Sequence, residues 1–446
     1  MQTLKTQDVI ALGFMTFALF LGAGNIIFPP MVGLMSGDNL GWAALGFLLT
    51  GVGLPLLAIV TLARVGGGLD LLTSPIGRVA GTAFGVVIYL TIGPLFATPR
   101  TATVSFEMGF APFIGDGSAQ LFGYSVIYFA VAILIALFPG RLIDNVGKVL
   151  TPLLLLALLV LGAAAVFNPA GSAGVFADTY REAPLSQGFI QGYLTMDALA
   201  GLVFGVVIVS SIRARGVDSG RMITRYTIAA ALIAALCLSL VYLSLMWLGS
   251  TSGAVAPDAE TGVALLTGYA HHAFGPVGGV LLGAVITLAC LTTAVGLLTA
   301  LGVYFSRLLP VSYRTVVIVM GLFSMAVANQ GLAQLIAFSV PILVGLYPIA
   351  ITLMLLGLAW RLWRWPRRVF VPAMAVATVF GVIDGLIAAG FEASIPGWLQ
   401  LLPGSSAGLG WTLPVAIVVL VAAIVDRALP VSGHGVHLRT VLSRSA

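Results

Sequence analysis

Residues 20–30 read FLGAGNIIFPP, inside an apolar run that extends from Val9 to Met35. In a helix interior Gly costs about 1 kcal/mol and Pro about 3 kcal/mol relative to Ala. Gly22, Gly24, Asn25, Pro29 and Pro30 therefore predict a break in a membrane-spanning helix. Non-helical backbone at membrane depth is tolerated only where protein or a water-filled cavity surrounds it, and the groups it frees have chemistry of their own. N–H groups at the start of a half-helix favour a carboxylate, while carbonyls at the end of one favour a cation. One break can thus hold an amino acid carboxylate and a sodium ion. Close helix packing through Gly22 and Gly24 is the competing reading. It leaves Asn25 and Phe28-Pro29-Pro30 unexplained.

Three further segments place polar groups in apolar surroundings. At 190–210, IQGYLTMDALAGLVFGVVIVS, Gly201 and Gly205 bracket Leu202, Val203 and Phe204, and Asp197 lies one turn before them. This is a weaker break signal, since membrane helices are often rich in Gly. At 288–300, LACLTTAVGLLTA, Thr292 and Thr293 offer two hydroxyl oxygens beside the carbonyl of Ala289. Hard oxygen donors suit a small alkali cation; bonding of each Thr to its own helix is the alternative. In the third apolar run stand Arg100 and Glu107. Charges at membrane depth usually face a partner or a cavity. Arg100 and Asp197 are expected to pair near the outer entrance of the site as a gate, with Glu107 sharing Arg100. A structural ion pair or a snorkelling side chain is the plainer alternative. Asp384 is expected only to pack or pair locally.

The elements that carry these residues follow from composition. The chain has 446 residues, 8% of them charged, and a mean hydropathy of +1.11, which implies an all-α polytopic membrane protein. Continuous apolar runs rather than alternating ones exclude a β-barrel. Twelve spans are predicted, at 9–35, 41–63, 80–110, 121–138, 149–167, 190–210, 226–248, 276–305, 315–329, 332–358, 369–390 and 409–425. With the N-terminus cytoplasmic, the inner loops hold Arg64, Arg78, Arg141, Lys148, Arg213, Arg215, Arg221, Arg225, Arg307, Arg314, Arg361, Arg364, Arg367 and Arg368, and the tail adds Arg427, Arg439 and Arg444. The outer loops hold Arg181 alone, beside Asp38, Asp116, Asp178, Glu182, Asp258, Glu260 and Glu392. This is the positive-inside pattern, so both termini are expected in the cytoplasm. It also accounts for a pI near 9.4 without a nucleic-acid partner.

A break recurring five spans later must be inverted, the geometry of inverted-repeat transporters. The chain is read as one transmembrane domain, 1–446, with a first repeat at 9–167, an inverted second repeat at 190–358, and two additional helices at 369–425. No cleavable signal is expected at the N-terminus. Cys237 and Cys290 fall in spans and suggest neither disulfide nor metal site. His271 and His272 are expected to be solvated on the outer loop 249–273; a second long outer loop is expected at 168–189. Gly66-Gly67-Gly68 lacks the Lys-Ser/Thr of a phosphate-binding loop, so an ion gradient rather than ATP is the expected energy source. No cofactor is expected, and no catalytic constellation is visible.

Together GFMTFALFLGAGNIIFPP (13–30), ATPRTATVSFEMG (97–109), TMDALAGLVFG (195–205) and LACLTTAVGL (288–297) resemble the branched-chain amino acid:cation symporter family. The resemblance runs from the first span to near the twelfth. It implies a leucine-transporter-like (LeuT-like) 5+5 fold plus two C-terminal helices, in a bacterial cytoplasmic membrane, importing leucine, isoleucine and valine with sodium. Carried over by position, it places the substrate carboxylate against Gly22, Ala23, Gly24 and Asn25. The amino group would meet freed carbonyls of the first and sixth spans near Gly201, Leu202, Val203 and Phe204. It places sodium among the main-chain oxygens of Ala18, Leu21 and Ala289 and the hydroxyls of Thr292 and Thr293. Lipid and the small substrate are the only partners it implies. Relatives of this fold carry an Arg shortly after the Asn of the break; Ile26-Ile27-Phe28 offers none. A proton-coupled or exchange carrier of another small neutral amino acid stays open on the same fold, with Asp197 or Glu107 titrating. No repeated filter motif suggests a channel.

Overall fold

The computed structural model describes residues 3–429 apart from 67, 139–140, 172–176, 257–258, 260 and 406–407, with backbone only at 141–151, 153, 394 and 400–401. Gly67, Asp258, Glu260, Arg439 and Arg444 of the sequence reading lie outside the described residues. Nearly all the rest is helix. The first span is two helices, α1 (Thr6–Phe20) and α2 (Ala23–Ser36). The second joins α3 (Leu40–Leu48) to α4 (Leu54–Val65) through a π-helical turn at 49–53 and is followed by the short α5 (Leu69–Thr73). The third joins α6 (Arg78–Leu90) to α7 (Ala97–Gly109) through a π-helical turn at 91–95, where Gly93 leaves helical geometry before Pro94. After the short α8 (Ala111–Ile114) come α9 (Ser118–Leu137) and α10 (Arg141–Phe167).

The second half begins with α11 (Asp178–Glu182), and the sixth span is again two helices, α12 (Pro184–Tyr193) and α13 (Asp197–Ala214). Then follow α14 (Gly220–Ser250), α15 (Gly262–Leu308), α16 (Tyr313–Ala328), α17 (Leu332–Leu358), α18 (Pro366–Ala388) and α19 (Thr412–Ala428). Among the described residues eight helical stretches are long and apolar enough to cross a membrane; α1, 154–167 and α16 are shorter apolar helices. Three boundaries differ from the sequence reading. The sixth span starts at 184, taking the end of the predicted loop 168–189 with it. The predicted loop 249–273 gives its last part to α15, so exposed His271 and His272 are helical. The eighth span bends at Gly275, with φ 65°, just before Pro276.

Glycines let the central helices touch backbone to backbone. A Cβ on Gly249 of α14 would fall on the Pro30 carbonyl of α2, 2.7 Å from its carbon, and one on Gly33 would lie 2.8 Å from the Met246 carbonyl carbon. In the same way Gly46 of α3 and Gly188 of α12 press against the backbones of Leu185 and Ala43. The broken helices α2 and α12 are thereby clamped by α14 and α3. Asp384 of α18 packs without a hydrogen-bond partner for Oδ2 among the described residues; it does not pair.

Overpacking a core costs about 1–3 kcal/mol even where side chains can adjust, and backbone adjusts less. Gly249→Val is expected to abolish monodisperse protein in detergent. Gly279→Ala, with open space around the new methyl, is expected to run like the wild type in size-exclusion chromatography.

Candidate functional site

The first break is made by two residues. Leu21 ends α1 at φ −69°, ψ 88°, and Gly22 is extended at φ −116°, ψ −167°. The Gly22 N–H donates to Asn25 Oδ1 at 3.1 Å, so Asn25 satisfies a donor that the interrupted helix leaves orphaned. The second break lies at Leu194–Thr195–Met196. Met196 is the one non-glycine among the described residues with positive φ (66°), a conformation costing an L-residue roughly 1–2 kcal/mol. Thr195 Oγ1 donates to Gly192 O at 2.9 Å and accepts the Asp197 N–H at 3.4 Å.

The two breaks face each other: a Cβ on Gly24 would lie 3.1 Å from both Cα and O of Thr195. Between them is a small cavity of about 40 Å³, lined by Gly22–Asn25, Arg100, Thr101, Thr195–Asp197, Ala200, Phe204 and Thr293, with an apolar side of Leu19, Phe20, Ile92, Ala97 and Leu297. Of the predicted residues of the sixth span, Phe204 lines it, edge-on to Phe20 with ring centroids 6.0 Å apart. Gly201, Leu202 and Val203 do not line it. They sit inside continuous α13, so their carbonyls are not freed. Gly201 is there for packing: a Cβ would lie 2.9 Å from Ala58 Cβ and 3.1 Å from Pro55 O of α4.

The expected Arg100–Asp197 pair is not formed. Arg100 is 1% exposed. Its guanidinium donates to Leu194 O at 2.9 Å and to Ser339 Oγ of α17 at 2.8 Å, and lies 5.3 Å from the Phe28 ring centre. The physical reason is the second break itself. It leaves the Leu194 carbonyl without a helical donor, and an unmet buried carbonyl costs about 1–3 kcal/mol. Asp197, 3% exposed, is held by neutral donors instead: Asn25 Nδ2 at 2.5 Å and Tyr242 Oη at 2.7 Å, both on Oδ2. Asn25 Nδ2 also donates to Tyr242 Oη. Glu107 is half-buried and does not share Arg100; it lines a larger cavity of about 570 Å³ with Thr103, Asp116, Gln330 and Gln334.

Of the predicted cation ligands, Leu21, Ala289, Thr292 and Thr293 come together beside the first break. Thr293 Oγ1 lies 3.4 Å from Leu21 O and 3.2 Å from Ala289 O, and Thr292 Oγ1 donates to Ala289 O at 2.7 Å. Ala18 is half-buried one turn before Leu21. Neutral carbonyl and hydroxyl oxygens of this kind fit a hard cation. Cys237 and Cys290 are free thiols, and no His, Cys, Asp and Glu group among the described residues could hold a metal. Sequence reasoning missed Leu194, Ser339 and Tyr242. A phenol in apolar α14 was the available signal for Tyr242; none marked the others.

Arg100→Lys keeps the charge, but an ammonium cannot reproduce a fork that bridges two acceptors. Loss of one charge-assisted hydrogen bond, about 1.5–3 kcal/mol, is expected to lower the thermal unfolding midpoint in detergent. An unchanged midpoint would show that Arg100 does not hold the second break.

Comparison with known proteins identifies the group. The profile of the family described as branched-chain amino acid transport protein matches residues 5–429. The chain is 61% identical to the branched-chain amino acid transport system 2 carrier protein of Pseudomonas aeruginosa, over 96% of this chain and 98% of that one. It is 51% identical to the branched-chain amino acid permease BrnQ of Escherichia coli, over 95% and 97%. Among solved structures, the inward-facing conformation of Mhp1 aligns with a TM-score of 0.63 at 13% identity, covering 98% of this chain and 94% of that one. MhsT in complex with L-phenylalanine aligns with a TM-score of 0.51 at 18% identity, covering 93% and 98%. These two likenesses show a LeuT-like fold. The chain belongs to the branched-chain amino acid transport protein family.

Proposed function

We propose that this protein is a sodium-coupled symporter that imports leucine, isoleucine and valine by alternating access across a bacterial cytoplasmic membrane. Its family is one of carriers and permeases rather than enzymes, and branched-chain amino acids are the cargo that the relatives' names state. The observation that carries the reading is the meeting of two broken helices across a cavity, with oxygen donors beside it. The free amides of Ala23, Gly24 and Asn25 at the start of α2 receive the substrate carboxylate, where the helix dipole adds attraction. The aliphatic side chain lies against Phe20, Ile92, Phe204 and Leu297. One methylene in such a pocket is worth about 1–3 kcal/mol, so the three amino acids overlap as substrates. Ligand pockets usually span about 300–1,000 Å³, so helices around this 40 Å³ cavity part to admit leucine and close after it.

Sodium is held by the carbonyls of Ala18, Leu21 and Ala289 and the hydroxyls of Thr292 and Thr293. It ties the end of α1 to α15 and so completes the substrate site. Arg100, bridging Leu194 and Ser339 one turn from the Thr103 side of the larger cavity, serves as the outer gate. Spans 9–167 and 190–358 form the two inverted halves, with 369–425 beside them and both termini in the cytoplasm, as the basic loops favour. A proton-coupled reading has one observation of its own: Asp197 is a buried carboxylate with no cationic partner.

The deciding experiment is uptake of labelled leucine, isoleucine and valine into proteoliposomes under an inward sodium gradient, a potassium gradient, or a proton gradient alone. Accumulation driven by sodium is expected; accumulation driven by protons without sodium would overturn the coupling ion and point to Asp197. Thr293→Val is expected to raise the sodium concentration for half-activation about tenfold, the scale of one lost ligand hydrogen bond, without reordering the three substrates. Gly24→Leu, which must displace the Thr195 backbone, is expected to insert in the membrane yet bind no leucine in a scintillation proximity assay.

A further inference from the structure

Asp197 and Arg100 line one cavity without touching each other. Arg100 is committed to Leu194 O, Ser339 Oγ and the Phe28 ring. Asp197 takes both of its donors on Oδ2, from Asn25 and Tyr242, and Oδ1 has no hydrogen bond among the described residues. A buried carboxylate with no cation beside it is costly. The same Asn25 that bonds Asp197 stands in the first turn of α2 and accepts the Gly22 N–H. The carboxylate is therefore one side chain away from the amides that favour an anion. An α-amino acid carries its ammonium one carbon from its carboxylate. No other acidic side chain lines this cavity, and the carbonyls of Gly201–Phe204 are engaged within α13.

We infer that Asp197 is the acceptor of the substrate ammonium, through Oδ1, with Asn25 and Tyr242 holding the carboxylate in place until the ammonium arrives. The inference rests on the amino acid reading of this cavity and sharpens it. The site selects zwitterions, and 2-hydroxy or 2-oxo acids with the same side chain are rejected. A site built around a polar partner rejects an analogue lacking that group far more strongly than it rejects a missing methylene.

The test uses the full-length protein in nanodiscs, with labelled leucine displaced by unlabelled leucine or by (S)-2-hydroxy-4-methylpentanoate. The readout is the ratio of the two affinities. Wild type is expected to favour leucine by about 10³-fold or more, and Asp197→Asn to lower that ratio at least about 100-fold. A merely structural role would weaken both ligands alike and leave the ratio, which would overturn the assignment. Tyr242→Phe removes a donor that holds Asp197 in place and is expected to lower the ratio about 2–10-fold. Should Asp197→Asn fail to fold, this variant decides: a lowered ratio supports the role and an unchanged or raised one overturns it. Failure of the wild type to bind leucine at all would overturn the amino acid reading instead.

Discussion

Everything in this fold depends on one requirement, that a backbone group freed at membrane depth must find a partner inside the protein. The chain breaks two helices and meets the requirement differently at each. At the first break a neutral side chain three residues along, Asn25, closes back on Gly22. At the second a cation from another span, Arg100, reaches the Leu194 carbonyl. The first solution is local and leaves the amides of α2 open to the cavity. The second is long-range and makes the third span part of the sixth.

Covering the breaks demands close walls, and glycine supplies them. Helix α14 lies against α2 and α3 against α12 at distances that leave no room for a methyl group. The unbroken helices thus act as splints for the broken ones, and the core that results is dense rather than porous. The functional cavity is small for the same reason. With walls of backbone pressed on backbone, enlarging it requires movement of whole helices rather than of side chains.

Much of this could be read from the residues, and the failures share a cause. FLGAGNIIFPP announced its break because Gly and Pro disfavour helix directly. The second break contains neither, only Leu-Thr-Met, and Met196 adopts a left-handed geometry that nothing in its side chain foretells. Gly201 and Gly205 drew attention a turn too far along because glycine serves close packing as readily as unwinding. The two charges were matched by sign and by predicted depth. That matching ignored the backbone, which competes for a guanidinium as soon as a helix ends in hydrocarbon. Tertiary partners such as Ser339 and Tyr242 come from spans with no local signal, so only the fold could bring them to the site. The Thr292–Thr293 pair was visible as adjacent hydroxyls in an apolar helix, and both bond Ala289 O of their own helix, with Thr293 also 3.4 Å from Leu21 O.

The bend at Gly275 divides α15 into two arms with different attachments. The arm before it presses Gly262 against the Ile27 backbone of α2, while the arm after it meets Gly109 of α7 through Gly283 and stacks Tyr304 on Tyr89 of α6 with centroids 3.8 Å apart. One arm therefore rides with the first span and the other with the third. The span of 3.4 Å between Thr293 Oγ1 and Leu21 O crosses the seam between those two bodies. Any slippage of one body past the other is therefore read there as a change of distance between two oxygens.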